Sequence, residues 1–390
     1  MDLLPTTRTL MPYNHVAIML VFVRMAFRFY TISETSFRFH HPVAICSMRF
    51  DIVTGLSLSQ PSISEPDGLR PINLRTDLAQ LADLIELVFA SSMDASGRAA
   101  IREMRYLSKM GIGLSVLSSM GEMGGQSHNM GYVWIANGRL VGNVSVYGTG
   151  SSPGMEAAWI IANVGVHPDY QRRGIARRLM QASIDMIHHR GGKMAVLQVD
   201  EDNDAARALY QSLGFVDERV WTQWYRSEAY HPPPIIEMRD VHIAHRRPNE
   251  WQAEYALAQQ VRPQQKGGMG WLRPLHPHLF RDRWWRRLLG WLSFSRTERF
   301  VIRDDTEQQI LASLWVETKI GGSRAQLSLM TAPEYLGVYD KYLLHLAARR
   351  FGGRAALLID HPADEEATSA ILRHLHFRPR RTVVNMRLDL

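Results

Sequence analysis

The stretch from Ala157 to Arg226 constrains the fold of this chain more than any other part of its 390 residues. Its first segment, Ala157 to Val166, is almost continuously apolar, which is typical of a strand buried on both faces. A turn signal follows at His167-Pro168-Asp169, and the apolar residues from Ile175 to Ile187 then recur on one side of a helical period. The sequence therefore predicts a strand, a tight loop and a helix in direct succession.

The loop between the predicted strand and helix is basic and contains a glycine. The first N–H groups of a helix have no partner within the helix and lie at the positive end of its dipole. A loop that directs the amides of Arg172 to Ala176 at one point therefore predicts an anion site. Gly174 lets the backbone approach an anion, while Arg172 and Arg173 supply charge suited to a diphosphate.

These residues resemble the GNAT superfamily of acyl-CoA-dependent N-acetyltransferases, whose signature loop Gln/Arg-x-x-Gly-x-Gly/Ala follows a buried strand. The segment Gln171 to Ala176 matches every position of that signature. Further along, Met194 to Val199 reads as the next strand, and Asn203 to Tyr210 followed by Leu213-Gly214-Phe215 resembles the family's second motif. The resemblance covers residues 70–228, and its two motifs stand in the family's order.

The resemblance implies an N-acetyltransferase that uses acetyl-CoA as co-substrate, binds no metal, and acetylates a primary amine by direct attack in a ternary complex. Tyr210 stands where many relatives protonate the leaving thiolate, and a core tyrosine is the alternative. Glu156 is the candidate general base, with a solvated loop carboxylate as the alternative and Glu122 and His167 as lesser candidates. The implied cofactor-binding residues are Val164, Gly165, Val166, Gln171, Arg172, Arg173, Gly174, Ile175, Ala176, Arg177 and Asn203.

The second part of the chain repeats this plan in degraded form. Thr331 to Tyr335 lies where Val166 to Tyr170 lay, but no Gln-x-x-Gly-x-Ala and no arginine pair follows it. We therefore expect a second GNAT-like domain that has lost its phosphate cradle. The expected fold class is α/β (α+β), with two tandem GNAT-type folds, each a mixed, mostly antiparallel twisted sheet flanked by helices.

The expected domain boundaries follow from changes in composition. Residues 1–69 would be a poorly ordered extension, 70–228 the intact acetyltransferase domain, 229–234 a proline-rich linker and 235–390 the degenerate domain. The insert 271–299 interleaves tryptophan with arginine, which fits an RNA or membrane surface or, as we favour, an amphipathic helix packed between domains. Local patterns further predict strands at 71–74 and 235–242, a helix at 77–90 capped by Thr76 or Asp77, and a hairpin turning at Asn137-Gly138.

Composition sets wider limits on function. The net charge of +7 suits a protein that holds an anionic cofactor, so we expect no nucleic-acid partner. The single cysteine, Cys46, excludes an intrachain disulfide and favours a cytoplasmic setting. No apolar run reaches the roughly 18 residues of a membrane span. The acceptor would be a small-molecule or protein amine, a homodimer is left open, and the alternative function is a non-catalytic acyl-CoA-binding or regulatory module.

Overall fold

The computed structural model describes residues 67–90, 93, 95–110, 131–149, 157–237, 241–281, 295–306, 308–319 and 321–390. The predictions for residues 1–66, for Glu122 and Glu156, and for residues 282–294 of the tryptophan-rich insert lie outside these ranges. Within them, no helix combines the length and the apolar character needed to cross a membrane.

Helices and strands alternate along the described chain. The helices are α1 Leu78–Val88, α2 Ala95–Met110, α3 Ile175–His189, α4 Asp204–Ser212, α5 Trp251–Val261, α6 Tyr339–Arg350 and α7 Glu366–His374. The strands are β1 Gly68–Pro71, β2 Gly131–Ala136, β3 Arg139–Gly148, β4 Ala158–Val166, β5 Met194–Asp200, β6 Val216–Arg226, β7 Ile243–His245, β8 Ser295–Arg303, β9 Ile310–Lys319, β10 Arg324–Thr331, β11 Ala356–Pro362 and β12 Arg378–Asp389.

The chain divides into two compact units. The first unit comprises Met1–Ser145 and Asn163–Ser183, and the second comprises Val146–Ala162 and Ile184–Leu390. The chain crosses from one unit to the other within β3, β4 and α3. Each unit is described by itself below.

The first unit is built on the hairpin of β2 and β3, with β1 antiparallel to β2. Asn137 and Gly138 have positive φ values of 52° and 70°, which confirms the predicted type I′ turn. The buried apolar face of α1 packs with α2 against β2 and β3, because leucine and isoleucine recur there at intervals of three and four. This core supports the end of β4 and the start of α3.

The second unit contains a sheet of strand order β4-β5-β12-β6-β11-β10-β9-β8-β7. The β4–β5 and β10–β11 pairs are parallel, and the other pairs of this order with a resolved register are antiparallel. The last strands are interleaved: β12 lies between β5 and β6, while β6 also pairs with β11. The sheet is mixed and mostly antiparallel, as the sequence predicted.

The two halves of the chain have the same order of elements from a hairpin onward, which is β2–β3 in the first half and β8–β9 in the second. After a hairpin of two strands, each half continues with a strand, a short 3₁₀ turn, a helix, a strand, a helix and a final strand. The 3₁₀ turns are Pro168–Tyr170 in the first half and Pro333–Tyr335 in the second. This repetition agrees with the internal repeat read from the sequence.

Two local predictions are wrong in detail, and a third is confirmed in position alone. The strand expected at 235–242 is absent from its described residues, since 231–237 have no regular structure and Ile235 is 81% exposed; β7 begins at Ile243. The first strand is Gly68–Pro71, which overlaps the predicted strand at Pro71 alone. Asp77 stands at the N-cap of α1, but its carboxylate accepts hydrogen bonds from Arg70 and from the Asn73 amide instead of from the helix.

Candidate functional site

The backbone at the end of β4 is positioned by Gly165 and by contacts with the turn that follows the strand. A Cβ atom at Gly165 would lie 3.2 Å from the Val88 side chain, so glycine lets the end of α1 approach the strand. The Gln171 side chain donates to the carbonyl oxygen of Val166 at 3.2 Å. The His167 amide donates to Val141 at 2.8 Å. These bonds fix the direction in which the chain leaves the strand.

The turn after β4 contains two left-handed residues, Arg172 with φ 60° and Gly174 with φ 76°. A Cβ atom at Gly174 would meet no atom within 4 Å, so glycine is favoured there by its backbone conformation and not by lack of space. At Arg172 the same conformation is strained, and such strain clusters at ligand-binding turns. His167 Nδ1 accepts a hydrogen bond from the Asp169 amide at 3.3 Å, which places His167 in the turn itself.

The start of α3 presents a group of backbone donors. The amides of Gly174, Ile175 and Ala176 have no hydrogen-bond acceptor in the part of the chain that the structure describes. The first regular bond of this helix runs from the Arg178 amide to Gly174 at 3.1 Å. The first turn of α3 also contains no acidic side chain that could take these donors. Unpaired amides at a helix N-terminus favour a bound anion.

Arginine side chains surround these donors. Arg172, Arg173 and Arg177 are exposed, and Arg173 donates to the carbonyl oxygen of Asp169 at 2.8 Å. The Arg173 guanidinium lies 5.0 Å from the centre of the Tyr170 ring, which orients it by a cation–π contact. Free amides together with several guanidinium groups suit a diphosphate. The residues present therefore fit the anionic end of an acyl-CoA.

A buried cluster of polar side chains in the first unit was missed by sequence reasoning. Asn143, Ser145 and Asn163 are each at most 4% exposed. Asn143 Nδ2 donates to the Asn163 carbonyl at 3.0 Å, and Asn163 has the left-handed φ of 52° within β4. The amide oxygens Oδ1 of both asparagines have no hydrogen-bond donor. Two asparagines within otherwise apolar strands were the available signal.

Asn203 and Tyr210 lie in the second unit. Asn203 is the N-cap of α4, and its Oδ1 accepts a hydrogen bond from the Ala206 amide at 3.2 Å, as predicted for a cap. Tyr210 is 6% exposed, and its ring centre lies 6.1 Å from that of Phe215. Burial raises the pKa of Tyr210, so its phenol stays protonated in neutral and mildly basic solution. No described residue forms a hydrogen bond with its hydroxyl group.

The general base is not located by the structure, because Glu156 and Glu122 lie outside the described residues. On β5, Gln198 Nε2 donates to Asn385 Oδ1 on the paired strand β12 at 2.9 Å. Within the described ranges, no group of three or more His, Cys, Asp or Glu side chains is arranged to hold a metal ion.

In the second half, a buried carboxylate lies at the start of the helix that follows the 3₁₀ turn. The Gly337 amide donates to Asp340 Oδ2 at 3.0 Å, and the Thr368 hydroxyl donates to the same oxygen. Asp340 is completely buried in the first turn of α6. An internal carboxylate therefore lies where a cradle would present its amides to a ligand.

The strand of the second half that corresponds to β4 is also occupied. Leu329 and Val164 stand at the same distance before the proline turns that follow their strands. The Leu329 carbonyl accepts a hydrogen bond from the Arg262 guanidinium at 3.0 Å, and Arg262 is paired with Glu365. Glu365 is the N-cap of α7, as Asn203 is of α4. In the second half, a buried ion pair thus contacts the strand carbonyl that corresponds to that of Val164.

The last helix of each half differs at one informative position. Tyr210 is the seventh residue of α4, and the seventh residue of α7 is Leu372, which is fully buried. Leucine has no proton to donate. The second half therefore has no phenol at the position of the candidate acid.

Comparison with known proteins places part of the chain in a family. Residues 115–215 match the model of the Acetyltransferase (GNAT) family. The N-alpha-acetyltransferase RimI of Mycobacterium tuberculosis is 41% identical over 91 residues, which are 23% of this chain and 54% of that protein. The [Ribosomal protein bS18]-alanine N-acetyltransferase of Salmonella typhimurium is 40% identical over 74 residues, 19% of this chain and 50% of that protein. The chain thus spans about half the length of these curated relatives.

A solved structure shares the fold over most of the chain. The GCN5-related N-acetyltransferase from Sphaerobacter thermophilus superposes with a TM-score of 0.51 over 82% of this chain and 95% of that one, at 12% sequence identity. The identity is too low to carry function, so this likeness concerns the fold. The sequence match covers β4, the cradle, Asn203 and Tyr210, and the resemblance read from those residues is confirmed: residues 115–215 match the Acetyltransferase (GNAT) family.

Proposed function

We propose that this protein is an acetyl-CoA-dependent N-acetyltransferase whose first half binds the co-substrate. The observation that carries the proposal is the set of unpaired amides at Gly174, Ile175 and Ala176, beside the exposed guanidinium groups of Arg172 and Arg173. These donors suit the diphosphate of a coenzyme A ester. Curated relatives that part of this chain matches are named as N-acetyltransferases.

The remaining cofactor contacts are proposed along the central strand and at the helix cap. The backbone of Val164 to Val166 would pair with the extended arm of the co-substrate as an added strand does. Gln171 would keep the Val166 carbonyl engaged, which fixes the register of that strand end. Arg177 would extend the positive surface, and Asn203 would contact the arm while capping α4.

The proposed reaction is direct attack of a primary amine on the acetyl thioester that the co-substrate supplies. The amine nitrogen forms a bond to the carbonyl carbon, the carbon–sulfur bond breaks, and the amine loses a proton to a base, for which Glu156 is our candidate. Tyr210 donates its phenolic proton to the leaving thiolate sulfur. Because burial raises the pKa of Tyr210, this donor is present in its protonated form over the range in which amines become neutral.

We infer that the second half binds no acyl-CoA and acts as a structural partner of the first. Asp340 and the Arg262–Glu365 pair support this part of the proposal, since they satisfy groups that a cofactor would need. The boundaries 70–228, 229–234 and 235–390 remain our proposal for the two domains. The acceptor is a small-molecule or protein amine, and we propose a cytoplasmic setting from the single cysteine.

The test is release of coenzyme A from acetyl-CoA, followed with a thiol reagent, across a panel of small amines and peptides with free N-termini. The proposal predicts release that depends on both acetyl-CoA and an amine, with an acetylated product detected by mass spectrometry. Binding of acetyl-CoA without release for any amine would instead favour the non-catalytic acyl-CoA-binding module.

A further inference from the structure

A small cavity in the second unit lies outside every residue assigned above. It has a volume of about 30 Å³, enough for about two water-sized groups. Strands β5, β6 and β12 form its floor, and the loop after α5 covers it. The residues that line it and that the argument uses are Glu218, Gly267, Trp271, Arg273 and Asn385.

The carboxylate of Glu218 lacks the partners that a half-buried charge normally has. Its side chain is 12% exposed, and its nearest cation is Arg387, with Nε of Arg387 3.7 Å from Oε1. That separation is too long for a hydrogen bond, and Arg387 Nε is itself buried without an acceptor. No other described group donates to Glu218. An ionised carboxylate in this position favours a ligand that supplies N–H donors.

The loop over the cavity leaves space beside this carboxylate. A Cβ atom at Gly267 would lie 3.1 Å from Glu218 Oε2, so any larger residue there would crowd the carboxylate. Two hydrogen bonds hold the loop in shape. The Leu275 amide donates to Gln264 Oε1 at 2.7 Å, and the Met269 amide donates to the backbone carbonyl of Arg273 at 2.9 Å. The cavity is therefore formed by an ordered turn and not by a loose segment.

The aromatic wall and the local charges determine the ligand chemistry. Trp271 lines the cavity, and tryptophan faces attract organic cations. Arg273 is paired with Glu317 at 2.7 Å, and Arg387 lies 3.4 Å from Asp389. Arg387 is therefore shared between Glu218, at 3.7 Å, and Asp389, so it offsets the charge of Glu218 only in part. A small cation with several N–H donors satisfies this carboxylate best.

We propose that this cavity binds the primary ammonium group of an organic amine through Glu218, with the rest of the molecule directed out of the opening. An ammonium group is the size of a water molecule and offers three donors. The proposal concerns binding alone, so it holds or fails independently of whether acetyl transfer occurs.

The charges around Glu218 predict how binding changes with pH. The charged residues on the elements packed against this carboxylate are Arg387 and Asp389 on β12, and Lys266 and Arg273 on the loop. The residues next to Glu218 on β6 point to the other face of the sheet. Burial raises the pKa of Glu218, and Arg387 opposes that effect. We therefore expect amine binding to be lost on acidification at a pH above the ordinary range of a glutamate.

The experiment measures n-propylamine and its neutral analogue n-propanol against the full-length protein without acetyl-CoA, by saturation-transfer NMR with titration. We expect propylammonium to bind and propanol to bind at least about tenfold more weakly. Glu218→Gln should weaken propylammonium binding by about the same factor, whereas the matched control Glu228→Gln, at an exposed position, should not change it.

Equal binding of the amine and the alcohol to the unaltered protein would overturn the proposal without recourse to any variant. Unchanged amine binding in a folded Glu218→Gln protein would overturn it as well. Because no acyl donor is present, neither result bears on the acetyltransferase proposal, which rests on coenzyme A release.

Discussion

The two halves of this chain keep the same order of elements but treat the turn after their central strands differently. In the first half, Gly174, Ile175 and Ala176 leave their amides without acceptors among the described residues. In the second half, the corresponding helix receives the buried carboxylate of Asp340, which accepts from the Gly337 amide. The same architecture thus has no acidic side chain at the start of the helix in one half and a buried carboxylate there in the other.

On our proposal that the second half binds no cofactor, the difference shows how internal side chains can take the place of a ligand while the fold is kept. A helix N-terminus left without an anion has unsatisfied donors, and an acidic residue in the first turn removes that need. A strand edge left without an added strand has free carbonyl groups, and Arg262 donates to Leu329 there. Each replacement turns a group that would bind a ligand into a group that stabilises the protein.

Sheet pairing gives the second half a structural role that does not depend on any cofactor. In the second unit β12 pairs with β5 and with β6, so the last strand of the second half lies between two strands of the first. Removing residues 235–390 would expose both edges, which is unfavourable in a long antiparallel sheet. The second half therefore completes the sheet of the first.

The largest expected effect comes from reversing charge in the cradle. The double variant Arg173→Glu, Gly174→Glu places two carboxylates where the diphosphate would lie and forces a side chain into a left-handed conformation. We expect acetyl-CoA binding to fall below detection in calorimetric titration, with the fold retained by circular dichroism. Val338→Glu, an exposed change at the N-cap of α6, is the matched control and should bind as the parent does. Retained acetyl-CoA binding in the double variant would contradict the proposal that the first half holds the cofactor site.

The next largest effect is on the free energy of unfolding, and acetyl-CoA binding should stay unchanged. Arg262 is 2% exposed, and Arg262→Ala leaves Glu365 buried without its main cation. Breaking such a pair costs about 3 kcal/mol of unfolding free energy, measured by urea denaturation. Acetyl-CoA affinity should stay unchanged. The double variant Arg262→Met, Glu365→Leu should recover much of the loss, because no unpaired charge remains. A change in affinity with either variant would show that the second half also binds cofactor.

Replacing the candidate acid tests the first half alone. Tyr210→Phe keeps the ring that packs on Phe215 and removes the hydroxyl. We expect kcat to fall by about a hundredfold, with little change in KM for acetyl-CoA, since a general acid acts in the transition state. An unaltered kcat would show that Tyr210 is not the proton donor and that its role is to pack in the core. Because burial raises its pKa, Tyr210 should produce no falling limb in the pH–rate profile near pH 10.

The smallest effect is the response of stability to acid. Burial alone would raise the pKa of Glu365, but Arg262 and His361 together hold it below its ordinary value. A pKa depressed in the folded state contributes stability that is present above the unfolded pKa, roughly 4.3, and is lost as the pH falls below it. Denaturation at pH 7 and pH 4 should show a smaller difference for Glu365→Gln than for the parent. An equal difference would mean that other carboxylates control the acid response.

Sequence alone predicted the strand, turn and helix of the proposed cradle because these parts are adjacent in the chain. The strand, the turn with Gly174 and the helix that follows form one continuous segment, so a local pattern contains most of the information. The hairpin at Asn137 and Gly138 was predictable for the same reason, since its turn type depends on two residues.

The remaining features depend on pairing between distant residues. The position of β12 between β5 and β6 was not predictable, because any of the apolar strands could pair with β5 on pattern alone. The Arg262–Glu365 pair joins positions that are far apart in the chain and carries no local signature. The strand expected at 235–242 failed because Ile235, although apolar, follows the proline run and lies in solvent.

The central claim is that the chain has one open cradle and one that its own side chains have filled. Calorimetric titration of acetyl-CoA into the intact protein tests it most directly, since the stoichiometry counts the sites. The account predicts about one molecule bound per chain. Two molecules per chain would contradict it by showing that Asp340 and Arg262 do not close the second half, and the absence of binding would contradict it by showing that the first cradle is closed as well.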